Sequence, residues 1–439
     1  MIYDIIIIGG GIAGLYAGIE CLKAHPEYNI ILLEKYNYIG GRVVSYKKTL
    51  DGIGTVGWEN GAGRINIKHT IVKGLIHQYG LHTIPIDDAV DFYDKSGGAS
   101  SRSQFEDLIR IYLQPLSLLS PKVLGEHTLY TLCKEIYGIK ETQALFARFP
   151  YYTEVHVLRA DVALNQFLNG GDMSTNAGYV VCKEGLSALI AAMEADFKGR
   201  GGKIQTGYTV KNITAVRGSK QLAVTGEKQE QLAGNRVIST LHVNAAKQLP
   251  VFRSWAPLKH LRMMPLLRIY MVFPKGAGGQ VWFKGIGKIV TTNALRYIIP
   301  MDAKKGSIMI SYTDGAYVQP WMKGAEYGAS TPSVEGATVL RMQDSKKASA
   351  DLQRRIMKEV RELFGDRDIP DPVFMKCHPW YDGTTAWLPG SYNVAATAAA
   401  VCRGPLPGLY VTGESYSLRQ AWMEGALEHV KMMLTELKL

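Results

Sequence analysis

The chain has 439 residues, too many for one compact core, so two domains are expected. Its 46% hydrophobic and 20% charged residues describe a soluble globular protein, and no apolar run reaches the ~18 residues a membrane span needs. The formal charge of +11 is spread over the chain rather than gathered in a basic stripe, which favours a small anionic partner and argues against nucleic acid.

Ile2–Ile8 is a near-continuous isoleucine-rich run, the pattern of a parallel strand buried on both faces. Gly9-Gly10-Gly11-Ile12-Ala13-Gly14 follows directly. Leu15, Ile19 and Leu22 then recur at helical spacing until Pro26 stops the helix. Asn29–Leu33 is a second strand and ends at Glu34, so one βαβ unit opens the chain. No basic segment precedes the first apolar run, which predicts no leader peptide. Cys21, Cys133, Cys182, Cys377 and Cys402 are scattered and form no CxxC pair. No metal centre and no disulfide framework are expected, and a reducing, cytoplasmic setting fits best.

Ile65–Gly80 reads as a helix with Ile67, Ile71, Leu75 and Ile76 on one face. Helical patterns dominate 100–170, and Glu184–Phe197 is another helix. Lys203–Val216, Gln221–Val224 and Arg236–Thr240 predict an antiparallel meander. Further strands are expected at Leu266–Phe273, Val281–Phe283, Tyr297–Ile299 and Ile308–Tyr312. The stretch 324–338 reads as a surface loop and Ala348–Phe364 as an amphipathic helix. The strand Leu409–Thr412, a glycine turn and a helix from about Met423 end the chain.

Gly9, Gly11 and Gly14 form GxGxxG between a strand and a helix. The first glycine permits a tight turn, the second a close approach of backbone to pyrophosphate, and the third close packing of helix on strand. The helix N-terminus adds unpaired N–H groups for phosphate. Glu34, 20 residues after Gly14, can accept from a ribose hydroxyl. This motif serves NAD and FAD alike. Gly40-Gly41-Arg42 lies just beyond it, where the glycines can bring Arg42 to the pyrophosphate charge.

Other segments are Gly61-Ala62-Gly63-Arg64, Lys183-Glu184-Gly185-Leu186, Val210, Val237-Ile238-Ser239-Thr240, Gly413-Glu414 and Trp422-Met423-Glu424-Gly425-Ala426-Leu427. In collinear order over most of its length, the sequence resembles the flavin-dependent amine oxidase family of monoamine, polyamine and L-amino-acid oxidases. The two end motifs are specific and the middle ones individually weak. The resemblance implies that Gly9, Gly11, Gly14, Glu34, Gly41, Arg42, Val210, Gly413 and Glu414 hold FAD. It also implies that Met423 offers its backbone N–H to the flavin ring. Plain core packing is the other reading of Val210 and Met423.

Trp422 matches one wall of the family's aromatic substrate cage, and Trp380, Tyr381, Trp387 and Tyr392 compete for the second. Arg64 matches the arginine that holds a substrate carboxylate in L-amino-acid oxidases, with pairing to the FAD phosphates as the alternative. Two departures stand out. Arg268 occupies the strand position where the family carries a lysine, and its charge would favour reduced flavin. The segment Tyr381–Trp387 lacks the cysteine of covalent members, so FAD is expected to be non-covalent.

The implied architecture is α/β (α+β), with a Rossmann-type FAD-binding domain of 1–75, 180–247 and 365–439. A mixed substrate domain would comprise a helical part, 76–179, and a sheet-rich part, 248–364. The implied reaction is oxidation of a C–N bond in an amine or L-amino acid, with O2 reoxidation giving H2O2. The rivals are a protoporphyrinogen oxidase or desaturase on the same fold, and a non-catalytic FAD-stabilised binding protein.

Overall fold

The isoleucine run lies in the interior of a seven-stranded sheet. Ile2–Ile8 pairs in parallel with Ile30–Leu33 on one side and Gln231–Ser239 on the other. Alternation sends its side chains to two different cores. Ile5 and Ile7, with Ile30 and Leu32, pack against the helices Ile12–Ala24, Leu186–Gly199 and Met423–Leu437. Ile6, Ile8, Ile31 and Leu33 face the opposite cluster, which includes Val224 and Val237. The computed structural model describes residues 2–438 except 87–89, 94–98, 101–105, 169–170, 175–177, 323–331, 334–336, 339–345 and 366–367. Most of the stretch read as a loop, 324–338, therefore lies outside the described residues.

The meander is present but shifted. Val210–Ala215, Leu222–Gly226 and Gln231–Ser239 pair antiparallel in succession. Lys203–Gln205, expected to run on into the first of these, instead pairs in parallel with Ile30–Leu33 at the far edge. Gly207, at φ +70°, turns the chain between them, and the amides of Gly207 and Tyr208 donate to the carbonyls of Tyr36 and Glu34. Leu409–Val411 pairs in parallel with Val237–Ser239 and so brings the C-terminal motif beside the N-terminal one.

A second seven-stranded sheet is built on Leu261–Val272, which pairs antiparallel with Phe374–Trp387 and with Ser307–Asp314. Leu267, Ile269 and Met271 face a core with Trp321, Leu352 and Ile356. Arg268 and Tyr270 occupy the other face, as the alternation predicts. Phe374–Trp387 joins this sheet although its residues were expected with the first one. Lys288–Thr291 is also a strand, whereas Val281–Phe283 is a buried turn. Three apolar residues bury as well in a turn as in a strand, so so short a run carries no period. Helices fill much of the segment between residues 121 and 167. Among the described residues, no helix is long and apolar enough to cross a membrane.

The helix expected from Ile65 begins only at Thr70. Ile65–Asn66 pairs as a strand with Tyr179–Val180. The Asn66 side chain accepts from the Lys68 amide at 2.9 Å, and its carbonyl accepts from the His69 amide at 2.9 Å. Such a local turn competes with helix formation and leaves Ile67 47% exposed.

The helix Thr70–Gln78 is capped from a distance. Glu424, in the first turn of the last helix and 2% exposed, accepts from the amides of Ile71 (2.8 Å) and Val72 (2.9 Å). One carboxylate thus satisfies two free amides of one helix while sitting at the positive end of its own. Replacing Glu424 with Ala is expected to destabilise the fold by about 1.5–3 kcal/mol, the worth of hydrogen bonds to a charged group. Glu424→Gln, which keeps one acceptor, should lose less, and urea unfolding of the two variants checks both.

Candidate active site

A cleft of about 770 Å³ extends from the first glycine turn to residues of the second sheet. At its first end, Gly9 adopts φ +107°. A Cβ on Gly14 would lie 2.0 Å from the Gly9 carbonyl oxygen, so helix and turn touch there. Gly11 is different: an added Cβ would meet no atom nearer than the Gly40 carbonyl oxygen at 3.9 Å. Its missing side chain therefore leaves open space on the cleft wall, as a group lying against the backbone requires. The helix Ile12–Ala24 begins here with no side-chain cap. The Gly40 amide donates to the Gly10 carbonyl at 2.8 Å, which sets the second glycine pair, with Gly41 at φ +59°, against the first. The features fit a dinucleotide pyrophosphate.

Glu34 lines the same end. Its Oε2 accepts from the Gly10 amide at 2.7 Å and its Oε1 from the Tyr36 amide at 2.9 Å. Burial raises its pKa, and the backbone donors work against that rise. A carboxylate has about four acceptor positions, so capacity remains for a ribose hydroxyl. Val210 lines the cleft at the start of the meander.

Arg42 points to an acid of the chain itself. Its Nη1 lies 2.8 Å from Glu414 Oε2 and donates to the Gly383 carbonyl at 2.9 Å. Glu414 also accepts from the amides of Ala421 (2.8 Å) and Thr385 (3.2 Å). Burial favours its protonated form, but Arg42 and these amides prevail and hold its pKa below the usual carboxylate value. Gly413 takes φ +125° just before it, and Ala421 takes φ +68° just before Trp422. Met423 then opens the last helix on the cleft wall, again with no side-chain cap.

Trp422 and Trp380 both line the cleft. Trp422 lies near-parallel to Tyr179, with ring centroids 6.2 Å apart, and edge-on to His69 at 5.1 Å. Trp380 donates from Nε1 to the Asn60 carbonyl at 2.9 Å, and Tyr381 lines the cleft beside it. Two expected wall residues lie elsewhere. Trp387 is 0% exposed, donates to the Ser417 carbonyl at 2.9 Å and packs in the core. The strand shifts register between the two rings: Trp380, opposite Leu266, faces the cleft, and Trp387, opposite Leu261, faces the core. Tyr392 stacks on His260 at 3.8 Å beneath Arg159 and lines a separate cavity of about 990 Å³.

Two arginines meet at the far end. Arg64 donates from Nη2 to the Tyr151 hydroxyl at 2.6 Å, with its guanidinium 5.1 Å from the Tyr179 ring and 5.9 Å from that of Tyr297. Arg268 donates from Nη1 to the Glu59 carbonyl at 3.2 Å, lies 4.9 Å from the Tyr312 ring and leaves its buried Nε without a partner. The Glu59 carboxylate itself is engaged by the Ser45 hydroxyl and the Leu186 amide. Among the described residues, neither guanidinium has a carboxylate at ion-pair distance. The tyrosines are not counter-charges: burial pushes the Tyr312 hydroxyl up to about 12 and raises that of Tyr297 as well.

Tyr151, Tyr312, Glu154 and Asp314 also line this end. Sequence reasoning missed all four. No motif surrounds them, and only the packing of 151–154 against the strand Ser307–Asp314 brings them to the cleft.

The comparisons with known proteins agree with this geometry. The chain matches the model of the family described as flavin containing amine oxidoreductase over residues 12–143 and 129–429. Putrescine oxidase, solved with putrescine bound, has the same fold, with a TM-score of 0.73 at 12% identity over 100% of both chains. A structure provisionally named protoporphyrinogen oxidase, from Exiguobacterium sp. 255-15, gives a TM-score of 0.69 at 16% identity over 99% of this chain and 98% of that one. The mitochondrial L-2-hydroxyglutarate dehydrogenase of Dictyostelium discoideum is 55% identical over 38 residues, 9% of this chain and only 8% of that protein. The cofactor is FAD, and the chain belongs to the family of flavin containing amine oxidoreductases.

Proposed function

We propose that this oxidoreductase oxidises the C–N bond of an amine that carries a carboxylate, an L-amino acid being the simplest case. The observation behind this reading is the pair of part-buried arginines, Arg64 and Arg268, which among the described residues have no carboxylate at ion-pair distance. A charge drawn out of water without a partner is costly, and a bound anion would relieve it. The planar fork of Arg64 suits a carboxylate. The cleft must also accommodate FAD, so its volume favours a small substrate over a large apolar one such as a porphyrin or carotenoid.

In this reading the glycine turns at Gly9, Gly11, Gly14 and Gly41 make room for the cofactor, and Glu34 takes a ribose hydroxyl. Gly413 and Glu414 hold Arg42 and the C-terminal turn in place, while Val210 and Met423 contribute backbone at the cleft wall. Trp422 and Trp380 confine the substrate and exclude water. Arg268 keeps a fixed positive charge where negative charge accumulates as electrons enter the site. When bound, FAD supplies the two-electron acceptor chemistry, with O2 as the final acceptor and H2O2 as a product. We assign 1–75, 180–247 and 388–439 to the cofactor-binding part, and 76–179 with 248–387 to the substrate part.

Purified protein is expected to carry about one FAD per chain and to release it into the supernatant on acid precipitation, because no cysteine lies in Tyr381–Trp387 and Cys377 faces the far core. Flavin retained in the pellet would disprove non-covalent attachment. Glu34→Ala should weaken FAD binding by about 1.5–3 kcal/mol, read by fluorescence titration of the apoprotein.

A peroxide-release screen of amino acids, amines and polyamines tests the reaction. Turnover of L-amino acids is expected, and turnover confined to amines without a carboxylate would reject the reading. In the same assay, Arg64→Leu should raise KM for amino acids by an amount equivalent to about 2–5 kcal/mol and leave carboxylate-free amines little changed. Equal losses for both classes would move Arg64 to the cofactor.

A further inference from the structure

Two carboxyls line the substrate end of the cleft, and their surroundings differ. Asp314 is engaged by the chain: it accepts from the amides of Tyr152 and Thr153, both at 2.8 Å, and so fixes the start of the short helix Thr153–His156. Glu154, on that helix, is 7% exposed, and its buried Oε2 has no hydrogen-bond partner among the described residues. A buried carboxyl oxygen left unpaired is costly and calls for a reason.

Among the described residues, no cation pairs with it. Asp314 faces it from the strand Ser307–Asp314. Arg296 donates to the carbonyls of Ala147 and Phe149, lies 4.3 Å from the Tyr317 ring, leaves its Nε without a partner among the described residues, and its charge acts on Asp314 and His156. His156, on the same short helix, stacks on Tyr152 and is held down to about 4 by burial and then by Arg296, so it is neutral near pH 7. Tyr312 contributes a hydroxyl that burial keeps protonated, and the Tyr151 hydroxyl is held by Arg64. Arg64 and Arg268 stand on the same cleft wall. A cationic group and an unsatisfied acid thus line one cleft, the arrangement a zwitterion requires: carboxylate toward the arginines, ammonium toward Glu154.

An amine gives up electrons from its neutral form, whereas in water near pH 7 it is an ammonium. We propose that Glu154 is the proton acceptor that converts the bound ammonium into the neutral amine. One N–H bond of the ammonium breaks, one O–H bond forms on the Glu154 carboxylate, and the electron pair stays on nitrogen. Nothing is oxidised or reduced in this step. The inference rests on the amine-oxidation reading. Its product, a neutral buried acid, is the form the site favours: burial, and then the charge of Asp314, push Glu154 up to about 8.

The test is anaerobic flavin reduction by the best substrate of the peroxide screen, followed against pH in wild type and Glu154→Gln. The ionised carboxylate is the active form, so the wild-type rate constant over Kd should rise through a limb near pH 8. Glu154→Gln should replace that limb with one at the more alkaline pH where the substrate ammonium itself loses its proton, and fall about 100-fold at pH 7, within the usual range for general acid–base catalysis. Asp314→Asn removes the adjacent negative charge and should move the limb to lower pH; it decides the matter if Glu154→Gln does not fold. Infrared difference spectra of the apoprotein give a readout free of turnover: a protonated-carboxyl band that titrates near pH 8 and is absent from Glu154→Gln. An unchanged limb in Glu154→Gln, or an unmoved one in Asp314→Asn, overturns the role of Glu154 alone. Failure of every amine to reduce the wild-type flavin overturns the amine-oxidation reading and this inference with it.

Discussion

The ion pair of Arg42 with Glu414 joins the two ends of the chain, and much of the cleft is referred to it. Glu414 is buried, and a carboxylate in that position is tolerable only when its oxygens are satisfied. Arg42 reaches it from the second glycine pair, the Ala421 amide from the turn before the last helix, and the Thr385 amide from the edge strand of the second sheet. Each donor leads to a different part of the site. Gly40 and Gly41 precede Arg42 on the dinucleotide side, Trp422 follows Ala421, and Trp380 stands a few residues before Thr385. Loss of Arg42 would leave an uncompensated buried charge at the point where these segments meet. The glycine turns and the two tryptophans are therefore linked through one carboxylate rather than set independently.

The parts legible in the sequence are those whose interactions are local or strictly periodic. Gly9, Gly11, Gly14 and Glu34 fall within one βαβ unit, and the double burial of Ile2–Ile8 is visible as an unbroken apolar run. The placement of Arg268 and Tyr270 opposite Leu267 and Ile269 follows from a period of two. Where one short-range interaction competes with a pattern, the pattern misleads. Ile67 keeps helical spacing with Ile71, yet the Asn66 turn holds it outside the helix. Trp387 and Trp380 look equivalent as aromatic residues of one segment. Only their places on a single strand, across its shift of register, separate a core ring from a cleft ring. Arg42 was expected at the pyrophosphate from the glycines before it, and no local signal announces its pair with Glu414, which lies hundreds of residues away.

On the proposed reading, the charge pattern of the cleft is what draws an anionic ligand to its far end. Ring faces of Tyr179, Tyr297 and Tyr312 solvate the two guanidinium groups in part. Each such contact contributes about 0.5–2 kcal/mol, less than the several kcal/mol needed to remove an ion from water. The deficit is on the cationic side, while Glu154 can stay neutral by keeping its proton. An anionic group therefore gains more from this end than a neutral one of the same size. The same asymmetry assigns polarity to a zwitterion: its carboxylate relieves charges already present, and its ammonium meets an acid that burial biases toward accepting a proton.

Trp422 shows how the aromatic wall is tied to that charge pattern. Its Nε1 has no partner among the described residues, so the ring is oriented by what it packs against. One neighbour is His69, whose Nε2 lies 2.9 Å from Asp172, and Asp172 in turn accepts from Arg419 at 3.2 Å. The other is Tyr179, the ring that also lies beneath Arg64. A carboxylate drawing Arg64 forward would release or tighten its contact with Tyr179, and Tyr179 is one of the surfaces that fix Trp422. On the proposed reading, recognition of the charged end of a substrate and the position of the wall beside its reacting end share one tyrosine. The polar chain through His69, Asp172 and Arg419 keeps the opposite side of the wall from yielding.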